Sequence, residues 1–197
     1  MNNKQKTSSV PACSLIIALL IFAQIPILFG LAPEGAVIYA LPWLLAAYPV
    51  LIVCIILMYK NGEFVDATLN ALLSGVLMGQ NFVRGIIDLV VLAAGAEVDP
   101  SLLQASHDID KWIFLAGGVT LIFGGWIALH DHIAAGIGVW AGALGFICVA
   151  AVNAGFGEGF GTAGAAGIVI MGLYLFYAGI SGLMKTAMGG REKPAEQ

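Results

Sequence analysis

Seven polar side chains recur along one otherwise apolar stretch, residues 64–91: Asp66, Asn70, Ser74, Gln80, Asn81, Arg84 and Asp88. On a helix turning about 100° per residue they fall within roughly 120° of arc. The residues between them are mostly Leu, Val, Ile, Ala and Gly, with no proline. Charge inside a membrane helix costs roughly 3 kcal/mol or more, so it faces protein or water and usually has a task. Arg84 and Asp88 stand four residues apart and can pair along the helix. Such a pair would pin one end of the helix. Alternatively, Arg84 supplies fixed positive charge that draws an anion into an external vestibule, its planar donors matching a carboxylate. Asn70, Gln80 and Asn81 would offer uncharged groups that replace hydration along the same path, and Asp66, near Lys60, would stand at the cytoplasmic mouth.

Other polar residues are scattered. Gln24 is the strongly polar residue of the first apolar run, either an interhelical hydrogen bond or a ligand. Asn153 either caps its helix or lines a mouth. Tyr174, Tyr177 and Ser181 share one helical face, which reads as an interfacial aromatic belt. His130-Asp131-His132 lacks further ligands on its side of the membrane for a metal site. No Ser-His-Asp, Cys-His or phosphate-loop pattern is present, so the reading is of a non-enzyme without cofactor. Cys13, Cys54 and Cys148 lack metal-type spacing and read as small apolar fillers.

The elements that must position these groups are membrane helices. The chain is 60% hydrophobic and 10% charged, with mean hydropathy +0.96, outside the range of soluble domains. Between Lys6 and Glu34, Glu34 and Lys60, Lys111 and Asp131, Asp131 and Glu158, and Glu158 and Lys185 there is no charge. Each gap is roughly 19 residues or more, enough to span the hydrocarbon core. With the striped segment added, six helices are expected: 14–32, 38–59, 64–91, 112–129, 133–152 and 163–186. The fold class is an all-α integral membrane protein, a six-transmembrane-helix bundle.

Lys4, Lys6, Lys60, Lys185, Arg191 and Lys193 fall on one side of that topology and Lys111 alone on the other, which puts both termini in the cytoplasm. Residues 1–13 are then a cytoplasmic segment, 14–186 the membrane domain and 187–197 a cytoplasmic tail. The 92–111 connection is an acidic external loop, with Asp99-Pro100-Ser101 a turn or helix start. Without a long targeting segment, the expected location is a bacterial or archaeal cytoplasmic (inner) membrane. The net charge of −4 points to no charged partner, and nothing addresses nucleic acid; the expected neighbours are membrane lipid and a small solute. Gly138-x-x-x-Gly142 and the other late glycines allow close helix packing, within the chain or between subunits. Pro26, Pro42 and Pro49 interrupt the first two helices.

Several short motifs resemble the acetate uptake transporter (acetate–succinate permease) family of six-helix membrane proteins. They are Val10-Pro11-Ala12-Cys13-Ser14-Leu15 at the first helix, Tyr59-Lys60-Asn61-Gly62-Glu63-Phe64 after the second, Asn153-Ala154-Gly155 after the fifth, and the late Tyr177 of the sixth. The family's Tyr-Gly-Gly of the second helix is represented here by Tyr48 alone, followed by Pro49. The resemblance implies a small carboxylate substrate such as acetate or succinate, a homo-oligomer (a hexamer) with one pathway per protomer, and a hydrophobic constriction at Leu19 and Leu72. The pathway residues it and the stripe imply together are Arg84, Asn81, Asn70, Asp88, Gln80, Asp66, Gln24, Tyr48 and Asn153. Two alternatives stand beside this carboxylate transporter or channel. One is a channel for neutral solutes or protonated weak acids, worked by the amides. The other is a non-transporting membrane scaffold subunit.

Overall fold

The computed structural model describes residues 8–32, 37–77, 84–95, 100–157 and 159–189. Among these residues are seven helices: α1 Val10–Leu28, α2 Val37–Asn61, α3 Phe64–Leu77, α4 Arg84–Ala93, α5 Pro100–Asp131, α6 Ile133–Asn153 and α7 Gly159–Gly189. No strand occurs among the described residues. Five helical stretches, within α1, α2, α5, α6 and α7, are long and apolar enough to cross a membrane. Their outward faces carry large apolar side chains such as Trp43, Leu45, Phe123, Trp126 and Leu173, as a lipid-facing surface requires and a water-facing one would not tolerate.

Helix ends follow local chemistry. Proline lies in the first turn of α1 (Pro11) and opens α5 (Pro100), where its missing N–H leaves no bond unmade. The α2 helix stops at Gly62, φ 85°, whose N–H donates to the Tyr59 carbonyl while that of Glu63 donates to Met58. At the end of α6, Gly155 has φ 86°; its N–H donates to the Val152 carbonyl and that of Phe156 to Ala151. Both are Schellman stops, which need a left-handed residue and so select glycine. Thus Asn61-Gly62 and Ala154-Gly155, two places that carry the family resemblance, are also what helix termination alone demands.

The single helix expected over 64–91 is described at its two ends, as α3 and α4; residues 78–83, Gln80 and Asn81 among them, lie outside the described residues. The expected 92–111 loop is largely helix, because α5 runs from Pro100. Asp108 and Lys111 pair at 2.7 Å on its exposed surface, a polar helical turn continuing past the apolar stretch.

The helices pack as a closed ring: α5 on α6, α6 on α7, α7 on α1, α1 on α3, and α3 on α5, with α2 over the α1–α3 seam and α4 against α2. Glycines let the backbones of the late helices touch. A Cβ on Gly145 would lie 2.9 Å from the Ile168 nitrogen and 3.0 Å from the Gly164 carbonyl, and one on Gly167 2.9 Å from the Gly145 nitrogen. A Cβ on Gly179 would lie 2.9 Å from the Pro11 carbonyl oxygen of α1. These glycines are used inside the chain, which settles between the two packing readings for them. The Phe114 and Phe146 rings meet edge to face at 5.3 Å, joining α5 to α6 inside the ring.

Candidate functional site

Polar side chains on the inward faces of α1 and α3 define the site. Gln24 and Asn70 are each 6% exposed, and Ser74 is 3% exposed. Asn70 Nδ2 donates to the Asp66 carbonyl at 2.7 Å. Among the described residues, Gln24 Nε2, Asn70 Oδ1 and Ser74 Oγ have no hydrogen-bond partner. Each such buried group costs about 1–3 kcal/mol, a loss a packed structural core would avoid.

Two cavities lie in the ring. One, of about 150 Å³, is lined by Ile21, Gln24, Ile27 and Leu28 of α1, Leu73 and Val76 of α3, Phe114 of α5, Phe146 and Val149 of α6, and Ile168 and Met171 of α7. The other, of about 100 Å³, takes the opposite end of each helix: Val10 and Ser14, Asp66 and Asn70, Ala128, Val139, and Tyr174, Leu175 and Ala178 among others. The sequence order of these linings shows α1, α3 and α6 running one way and α5 and α7 the other, so that every neighbouring pair of the ring is antiparallel except α1 and α3, which run parallel. We call the cavity near Leu28 upper and the one near Val10 lower. Leu73 and Met171 line both, so these two side chains form the wall between them.

A third space, a groove of about 350 Å³ between α3 and α5, is lined by Ala71, Leu72, Gly75, Val76, Asp110, Ile113 and Phe114. It shares Val76 and Phe114 with the upper cavity. Groove, upper cavity and lower cavity therefore form a series with two apolar partitions, Val76–Phe114 and Leu73–Met171.

The charged end of the stripe is arranged differently from the sequence expectation. Arg84 does not pair with Asp88. Its Nη1 lies 3.3 Å from Asp110 Oδ2 on α5, and its Nη2 lies 3.3 Å from His107 Nε2. The pair is half-buried, 27% and 15% exposed. Helix α5 starts early enough to bring Asp110 to Arg84, and no local spacing rule reports a partner 26 residues away. Asp88 is half-buried, and among the described residues it forms no ion pair. Arg84 lines none of the three spaces; its partner Asp110 lines the groove.

The remaining expected residues divide. Gln24 and Asn70 line the cavities, and Asp66 is exposed at the lower end of the lower one. Leu72 lines the groove, while Leu19 is 58% exposed on the outer surface; the two do not meet inside the chain. Tyr48 is half-buried on α2, outside the cavity linings. Asn153 is the last residue of α6 and likewise lines neither cavity. Tyr174 and Tyr177 do not share a lipid-facing belt, for Tyr174 lines the lower cavity and Tyr177 is 66% exposed. Sequence reasoning missed Leu73 and Met171, apolar residues on apolar helices. The available signal was position: Leu73 lies three residues from Asn70 on the inward face of α3.

The architecture is that of a helical membrane protein whose ring of helices encloses a divided, amide-bearing interior. No protein-family model, curated protein or solved structure matches the chain.

Proposed function

We propose that the chain conducts small uncharged solutes across a membrane through its own helix ring, the protonated form of short carboxylic acids among them. The observation that carries this reading is the series of internal spaces in which Gln24 and Asn70, buried and with unpartnered polar atoms, stand on either side of the Leu73–Met171 partition. A solute shedding water at an apolar neck needs groups that replace hydration without holding it, and neutral amides do this. The upper cavity has no charged lining residue. The Arg84 charge is compensated by Asp110, a lining residue of the groove, which favours neutral solutes over an anion drawn along Arg84.

In this reading α3 and α4 belong to a sixth crossing. Both termini lie in the cytoplasm, as the basic residues imply, so the groove and upper cavity open outward and Asp66 marks the cytoplasmic mouth. The motif resemblance to acetate transporters supports a short carboxylic acid as one solute, and implies one pathway per protomer of a homo-oligomer. The scaffold alternative drew on glycines that the fold uses within one chain.

The test is flux into liposomes holding the purified protein. Stopped-flow entry of urea and acetamide should exceed that of protein-free liposomes, and labelled acetate uptake should rise as external pH falls, without current. Neutral-solute entry no faster than the protein-free rate would overturn the reading. So would a carboxylate current lost in Arg84→Ala, which would restore the anion pathway.

A further inference from the structure

The upper cavity has a chemistry narrower than "small and uncharged". Its wall is Ile, Leu, Val, Phe and Met from five helices, interrupted by one amide, Gln24. That amide is buried, and its Nε2 has no partner among the described residues. At about 150 Å³ the space matches apolar cavities that take a benzene-sized molecule. No charged side chain lines it, so an ion entering would lose its hydration without compensation.

From these features we infer that the upper cavity is an equilibrium binding site for compact molecules of about six or seven non-hydrogen atoms, with an apolar body and one hydrogen-bonding head turned to Gln24. The body takes dispersion contacts from Ile21, Ile168, Phe114 and Phe146, while the head gives the orphaned amide a partner. Purely apolar molecules of the same size bind but leave Gln24 unpaired; purely polar ones leave the apolar wall unused. The inference deepens the transport reading, on which its meaning for substrate choice rests. Binding itself does not require transport.

Phenol and toluene separate these contributions, since they share size and shape and differ in the hydroxyl. Their binding to the full-length chain in lipid nanodiscs is read by saturation-transfer NMR titration, with empty nanodiscs as the lipid reference. Both should bind saturably, phenol more tightly. In Gln24→Leu, which replaces the amide by an apolar side chain of similar volume, the phenol-to-toluene affinity ratio should fall about five- to tenfold, the worth of one neutral hydrogen bond. Toluene affinity should change less than about threefold, since the apolar wall is kept.

Gln24→Leu removes an unpartnered buried group, so the variant is expected to keep its thermal midpoint, which verifies its fold. Absence of saturable binding of both probes overturns the inference, as does a ratio unchanged by the substitution. The two readings fail separately. Saturable binding with no solute flux removes the transport reading and keeps the site, whereas neutral-solute flux with no binding removes the site and keeps the pathway.

Discussion

Met171 on α7 lies against Gly142 on α6 so closely that a Cβ at position 142 would collide with the Met171 thioether. The same methionine lines both axial cavities and, with Leu73, divides them. A glycine on one helix thus sets where the partition of the interior stands. Methionine has three flexible torsions, so it can yield where a branched side chain could not.

This relationship predicts opposite effects from two substitutions. Gly142→Ala displaces the flexible end of Met171 from its notch toward the axis, costing about 1–3 kcal/mol in stability and slowing neutral-solute flux. Met171→Ala joins the two cavities, costs about 2–5 kcal/mol, and should speed flux and admit larger solutes. Stopped-flow entry of urea, acetamide and butyramide, beside thermal unfolding in detergent, separates the two. If both variants conduct like the unmodified chain, Met171 is not the partition of a pathway.

Asn70 gives a sharper separation of stability from flux. Its Nδ2 donates to the Asp66 carbonyl, but its Oδ1 is buried and has no partner among the described residues. Asn70→Leu loses one modest hydrogen bond and also removes an orphaned acceptor, so the stability change should stay within about 1 kcal/mol. Flux should fall severalfold, because the lower cavity loses its main hydration substitute. Equal thermal midpoints with equal flux would make Asn70 a spectator.

Much of the architecture was legible because membrane helices announce themselves as long uncharged runs, and all five candidate spans fall where such runs were expected. Gln24 and Asn70 were legible for a related reason: an amide on an apolar helix is costly enough to be conspicuous. The rest depended on three-dimensional company. Asp88 is a sequence neighbour of Arg84 at helical spacing, yet Asp110 holds the guanidinium, since α5 continues as helix through a stretch whose charges made it look like loop. Leu73 and Met171 carry no compositional mark at all. The Gly138-x-x-x-Gly142 pair was recognisable as packing, but only the fold shows that Tyr174 and Met171 occupy the two notches.

The backbone contact between α6 and α7 sets a second stability test. Gly145, Gly164 and Gly167 leave no room for side chains, since the space beside Gly167 is already held by α6 backbone. Backbone cannot swing aside as a methionine can. Gly167→Leu should therefore prevent accumulation of folded protein, whereas Gly75→Ala, where a Cβ meets nothing within 4 Å, should be neutral or slightly stabilising because helix propensity favours alanine. Detergent-extracted yield and size-exclusion profile read both. A well-folded Gly167→Leu would mean that α6 and α7 do not pack in this register.

The Arg84–Asp110 contact is the last test, and it distinguishes a pin from a substrate residue. Exposure of 27% and 15% leaves the pair partly solvated, so a double-mutant cycle with Arg84→Ala and Asp110→Ala should give a coupling of about 1 kcal/mol, weakening as salt rises. Asp110→Ala alone should be the more damaging single change, because it leaves a half-buried guanidinium without its carboxylate. Neutral-solute flux should change less than about twofold in Arg84→Ala once folded protein is matched, since Arg84 lies outside the linings of all three spaces. Flux that collapses in Arg84→Ala, at an unchanged thermal midpoint, would place the guanidinium on the solute's route and make the carboxylate the form that travels.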